Sequence, residues 1–146
     1  MSGKAPITGE ELRRLGAALL NDGPDAIIYS DRDGIIRFWN AGATRIFGYD
    51  GGEALGRSLD IIIPERLRER HWQGYARMME TGRSRYPAEQ LLSVPAQHRS
   101  GKALSIQFTV VAIKDTHGRI EGIAAVLRDV TATFEQIKRL KAAAKP

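Results

Sequence analysis

Among the side chains able to do chemistry, His71 has the most suggestive setting. It lies in the stretch Pro64 to Met79, PERLRERHWQGYARMM, which opens on a helix-starting proline and is crowded with arginine. At helical spacing Leu67, His71, Gly74, Tyr75 and Met78 share one side, and Arg66, Glu69, Arg70, Gln73, Arg77 and Glu80 cover the other, so the imidazole points inward. An inward imidazole serves as a hydrogen-bonded core group, as a metal or heme ligand, or as a proton-sensitive switch, and the helix alone does not separate these. His98 and His117 stand beside glycine-containing turns, read as exposed loop residues, and form no metal set with His71. Met78 and Met79 could offer sulfur to a metal, but packing is the better reading for Met78. Trp39 and Trp72 could stack on a flat ligand; Trp39 ends a strand and reads equally well as structural, while Trp72 points to the flank of its helix. The chain has no cysteine, which excludes disulfides, thiolate metal sites, cysteine nucleophiles and thiol photochemistry. No nucleophile elbow, phosphate loop or His-Glu metal helix is present, so no enzyme is expected.

The elements that must position these residues follow from periodicity and turn chemistry. Residues 9–20, GEELRRLGAALL, set Leu12, Leu15, Leu19 and Leu20 at helical spacing with two glutamates in the first turn, and Asn21-Asp22-Gly23-Pro24 closes that helix. Ala26 to Tyr29 and Ile35 to Trp39 read as strands joined through Asp31-Arg32-Asp33-Gly34 into a β-hairpin. Asn40 is placed to cap a helix through Ile46 that Gly48 ends, and Gly51 to Leu55 gives another helical turn. The apolar run LDIII precedes the His71 helix, which starts at Pro64 and stops at Thr81-Gly82. Three longer strands follow, Glu89 to Gln97, Ala103 to Lys114 and Ile120 to Asp129. In the middle one Leu104, Ile106, Phe108 and Val110 alternate with Ser105, Gln107 and Thr109, predicting one buried and one wetter face. A last helix from Thr131 to about Ala144 aligns Phe134, Ile137 and Leu140 in a stripe suited to pairing with another helix.

A chain of 146 residues supports one domain with a real core, and 42% apolar with 27% charged residues is a globular composition. No apolar run reaches bilayer length and the N-terminus lacks a basic start followed by an apolar stretch, so a cytoplasmic protein with no membrane partner is expected. The +5 charge, 22 Lys+Arg against 17 Asp+Glu, is scattered along the chain and reads as solvated surface, with no nucleic-acid partner expected.

The order of elements is an α+β pattern with helices over one face of an antiparallel sheet. Its joints resemble the PAS sensory-domain family. In DGIIRFWNAGATRIFGYDGGEALGRSL the matching residues are Asp33-Gly34 in the hairpin turn, Asn40 at the first core helix, Phe47-Gly48-Tyr49, and Glu53 with Gly56. The closing RDVT, Arg128 to Thr131, is similar to the Asp-Ile-Thr ending at which PAS sheets hand over to a signalling helix. The resemblance implies a PAS fold over 24–131, a five-stranded antiparallel sheet with helices on one face, flanked by an N-terminal helix within 1–23 and a C-terminal signalling helix in 132–146. It implies signalling rather than catalysis, with Asp129 and Thr131 as the relay from sheet to helix.

Within that family PERLRERH is similar to the heme-ligand helix of FixL-type oxygen sensors. The similarity implies heme b with His71 as axial ligand and Arg77 and Arg85 as propionate contacts. Ile28, Ile46, Ile62, Leu67, Tyr75, Leu92, Ile106 and Phe108 would bound the pocket with it. Where those sensors place a distal arginine this chain reads Glu89-Gln90-Leu91-Leu92, which favours nitric oxide, carbon monoxide or redox state over oxygen as the signal. The alternative is a cofactor-free dimerisation and protein-interaction module. The leucine stripe of the first helix and the Phe134 stripe of the last are expected homodimer surfaces. No kinase, cyclase or DNA-binding segment is recognisable, so the expectation is either action on a separate partner or output protein, or a fragment of a longer protein.

Overall fold

Side-chain caps decide where the helices start. In this computed structural model, which describes residues 5–83 and 93–144, α1 (Gly9–Asp22) opens on a reciprocal box. The Thr8 hydroxyl accepts from the Glu11 amide at 3.1 Å, and the Thr8 amide donates to Glu11 Oε1 at 3.1 Å. Asn40, only 3% exposed, starts α2 (Ala41–Phe47) by accepting from the Ala43 amide at 2.9 Å. Its Oδ1 also accepts from the Ile27 amide at 2.8 Å, and its Nδ2 donates to the carbonyls of Leu20 at 2.7 Å and Asp25 at 3.0 Å. One buried amide thus ties together the end of α1, the first strand and α2.

After the short α3 (Gly51–Ala54), capped by Asp50, the LDIII run forms a 3-10 turn at Leu59–Ile62. A second 3-10 turn, Glu65–Leu67, follows Pro64, so α4 (Arg68–Thr81) begins only at Arg68 and not at the proline. The reason is local: Pro64 has an extended ψ of 139°, and its carbonyl accepts from the Leu67 amide at 2.8 Å in an i to i+3 bond.

The strands are β1 (Ala26–Asp31), β2 (Ile36–Trp39), β3 (Ser93–Gln97), β4 (Ala103–Lys114) and β5 (Ile120–Asp129), and α5 (Thr131–Ala143) follows directly. They form one antiparallel sheet in the order β2-β1-β5-β4-β3, which sets the N-terminal hairpin beside the C-terminal strand. The expected part of β3 from Glu89 to Leu92 lies outside the described residues. Ile28, Ile36, Ile106 and Phe47, each 2% exposed or less, centre the core between the inner sheet face and the helices. Burying each is worth about 1.5–3 kcal/mol. The outer face departs from the expected wet surface: beyond Thr109 the alternation carries Val111 and Ile113 outward, and Val111 is 58% exposed.

Candidate functional site

Two places carry the polar chemistry: the inner side of α4, and the joint between β5 and α5. On α4, Tyr75 and Met78 reach the core at 8% and 6% exposure. The rings of His71, Trp72 and Tyr75 pack against one another, with centroids 4.6 Å apart for His71 and Trp72 and 5.2 Å for Trp72 and Tyr75. Trp72 lies against Gly34 in the β1–β2 turn, where φ of 75° and contact with the indole both favour glycine. Its Nε1 donates to Asp60 Oδ1 at 2.7 Å. The Tyr75 hydroxyl donates to the Asp31 carbonyl, leaving the buried Ser30 hydroxyl to donate to Tyr75 at 2.9 Å. Sequence reasoning missed Ser30 and Asp60; nothing in their local pattern marks them, because their partners are 45 and 12 residues away.

His71 is half-buried, and its Nδ1 is buried without a hydrogen-bond partner. Burial pushes the imidazole down from 6.5 to about 4, against the opposing pull of the Asp60 carboxylate, so the ring is neutral at neutral pH. A neutral imidazole is the form that ligates a metal. The surroundings match a heme only in part. Ligating histidines ordinarily donate from the second ring nitrogen, a partner the buried Nδ1 lacks. Of the expected pocket residues, Ile28, Ile62, Tyr75 and Ile106 are at most 8% exposed and belong to one packed cluster, with Ile46 and Phe108 against it. Leu67 is half-buried and Arg77 is exposed, as its helical position predicts. Arg85 and Leu92 lie outside the described residues. A depression of about 400 Å³ lies beside α4, between Trp72, Tyr75, Met79 and the Arg32-Asp33 turn, and shares Tyr75 with the expected pocket.

Trp39 is structural, donating to Thr44 Oγ1 at 3.1 Å and the Tyr49 carbonyl at 3.0 Å. His117 is exposed as expected. His98 is not: it is half-buried against Gly48, with Nδ1 held 2.9 Å from Ser100 Oγ. No cluster of three metal-ligating side chains occurs among the described residues.

At the second place, the Thr131 amide and hydroxyl both donate to Asp129 Oδ1, the former at 2.9 Å. The Thr131 hydroxyl in turn accepts from the Ser105 amide at 3.0 Å, and the Val130 amide donates to the Ser105 carbonyl at 2.9 Å. The end of β5, the start of β4 and the first turn of α5 are therefore one hydrogen-bonded unit.

The sequence profile of the family described as PAS fold matches residues 20–134, most of the chain. The chain belongs to that family. The PAS domain of a Colwellia psychrerythraea protein superposes with a TM-score of 0.72 at 21% identity, covering 83% of this chain and 98% of that one. An RNA-binding light-oxygen-voltage receptor superposes with a TM-score of 0.71 at 18% identity, covering 98% of this chain and 41% of that one. At these identities the likeness is one of fold. Among sequence relatives, the Sensor protein FixL of Bradyrhizobium diazoefficiens is 41% identical over 54 residues, 37% of this chain and 11% of that protein. The Signal transduction histidine-protein kinase AtoS of Escherichia coli is 26% identical over 133 residues, 89% of this chain and 20% of that protein. An uncharacterised Azorhizobium caulinodans protein is 30% identical over 131 residues, 89% of this chain and 17% of that one. The PAS chain thus spans a fifth or less of these curated relatives. No helix among the described residues is long and apolar enough to cross a membrane.

Proposed function

We propose that this PAS domain is a non-catalytic sensory module of a signal-transduction protein, passing a change at the α4 face through the sheet to α5 and from there to an output partner. The observation that carries the reading is the joint at Ser105, Asp129 and Thr131, where two strands and the last helix share hydrogen bonds, so that a shift in one biases the others. Similarity to a sensor protein and to a signal-transduction histidine kinase supports it. The exposed stripes Leu12-Leu15-Leu19 and Phe134-Ile137-Leu140 are the surfaces through which such a module would pair as a homodimer.

Heme b on His71 is the named input. Its support is the inward-facing, neutral imidazole on α4, together with the partial similarity to FixL. In that reading Arg77 and Arg85 would hold the propionates, and Tyr75, Leu92 and Ile106 would line the group. The iron, when bound, supplies a centre responsive to gases or redox state. The packing of Ile28, Ile62 and Ile106 in one cluster supports the second reading, a cofactor-free interaction module. Visible absorption of the purified chain, with and without added hemin, separates the two. A sharp Soret band that responds to reduction and carbon monoxide and is lost in His71→Ala supports heme. A spectrum featureless in both proteins removes heme and leaves the cofactor-free module.

A further inference from the structure

The depression beside α4 has a chemistry that the heme reading leaves unused. Its volume of about 400 Å³ falls within the roughly 300–1,000 Å³ of small-ligand sites. Its wall is formed by the Trp72 and Tyr75 rings, set 5.2 Å apart at 69°, and by Met79 one turn beyond Tyr75 on α4. Both rings have their polar tips engaged elsewhere. The Trp72 Nε1 donates to Asp60, and the Tyr75 hydroxyl bonds to the Asp31 carbonyl and to Ser30 on β1. What remains for the depression is aromatic surface, extended by the polarisable Met79 thioether.

The rim is charged. Asp33 in the β1–β2 turn and Glu80 in the last turn of α4 border the depression together with Arg32. Among the described residues neither carboxylate has an ion-pair partner. Arg32 pairs with neither of them; its guanidinium donates to the Ile120 carbonyl at the start of β5 and is held there. Two carboxylates against one guanidinium leave the rim with one negative charge in excess. Aromatic rings attract a cation that comes within about 6 Å of their centres. We propose that this depression binds a small organic cation of the quaternary-ammonium class, its alkylated head against Trp72, Tyr75 and Met79 and its charge offset by Asp33 and Glu80. An anion would meet two carboxylates, and an uncharged apolar molecule would cover the rim without offsetting its charge. The proposal needs neither bound heme nor the sensory reading.

The test is a titration of the purified chain, without hemin and at low salt, with choline chloride and separately with its uncharged carbon isostere, dimethylbutanol. The two indole N–H signals are followed by NMR, because Trp39 lies at the far end of β2 from the turn and serves as the internal control. The expected result is a saturating shift of the Trp72 signal with choline in the millimolar range, an unmoved Trp39 signal, and binding of the isostere at least about tenfold weaker. Asp33→Asn with Glu80→Gln should weaken choline about tenfold and Arg32→Gln should tighten it about threefold, both at unchanged Tm. Equal binding of choline and the isostere would overturn recognition of charge. Choline affinity unchanged in the Asp33→Asn, Glu80→Gln variant would overturn this rim as the site. A Trp72 signal that does not move at any choline concentration would overturn the proposal outright.

Discussion

Replacing Asp129 with alanine removes the acceptor of both the Thr131 amide and the Thr131 hydroxyl at the start of α5. Loss of a helix-start acceptor of this kind costs about 0.5–2 kcal/mol, typically about 1. α5 has no buried residue and is 13 residues long, so its order is a local equilibrium rather than part of global unfolding. A loss of about 1 kcal/mol lowers the helix-to-coil ratio about fivefold. Amide hydrogen exchange over 131–143 should therefore quicken about fivefold in Asp129→Ala, while core amides of β1 and β5 keep their protection and the domain keeps its Tm. Thr131→Val, which also deprives the Ser105 amide of its acceptor, should extend the effect to the start of β4. Exchange over α5 unchanged in both variants would refute the coupling of helix to sheet through this joint.

Gly34→Ala places a Cβ in the Trp72 ring at a positive φ, and should lower stability by about 1–3 kcal/mol with altered tryptophan fluorescence; an unchanged melt would show that Trp72 does not pack there. The His71 imidazole has a folded pKa of about 4 against 6.5. Between those values the unfolded chain carries the extra proton, so stability present above pH 6.5 is lost as the pH falls toward 4. At about 1.4 kcal/mol per unit the loss is on the order of 3 kcal/mol. Denaturant melts of wild type and His71→Gln across that range should diverge by this slope, and parallel curves would refute a buried neutral ring.

Much of the fold is legible in the sequence because its signals are local. Asn40 as a cap, Gly48 and Gly82 as stops, and the alternation of Leu104, Ile106 and Phe108 each act within a few residues, and each element stands where they point. The sheet order is not local: β1 beside β5 depends on pairing across about a hundred residues, and no single segment signals it. The candidate site divides the same way. The inward turn of His71 and the outward turn of Arg77 follow from helical spacing. The meeting of Ile28, Ile62 and Ile106 in one cluster is a matter of how side chains from three elements pack. Ser105 as the partner of Thr131, 26 residues away, has no signal in either segment.

The central claim is that a change on α4 reaches α5 through the sheet. Tyr75→Phe perturbs the α4 end of that path, breaking the bonds to Ser30 and Asp31 on β1, which pairs along β5 as far as Leu127. Hydrogen exchange over 131–143 measures the other end, in Tyr75→Phe, Asp129→Ala and the double variant. The account predicts that Tyr75→Phe quickens α5 exchange when Asp129 is present and adds nothing when it is absent. An α5 indifferent to Tyr75→Phe, or an equal increment in both backgrounds, would contradict it.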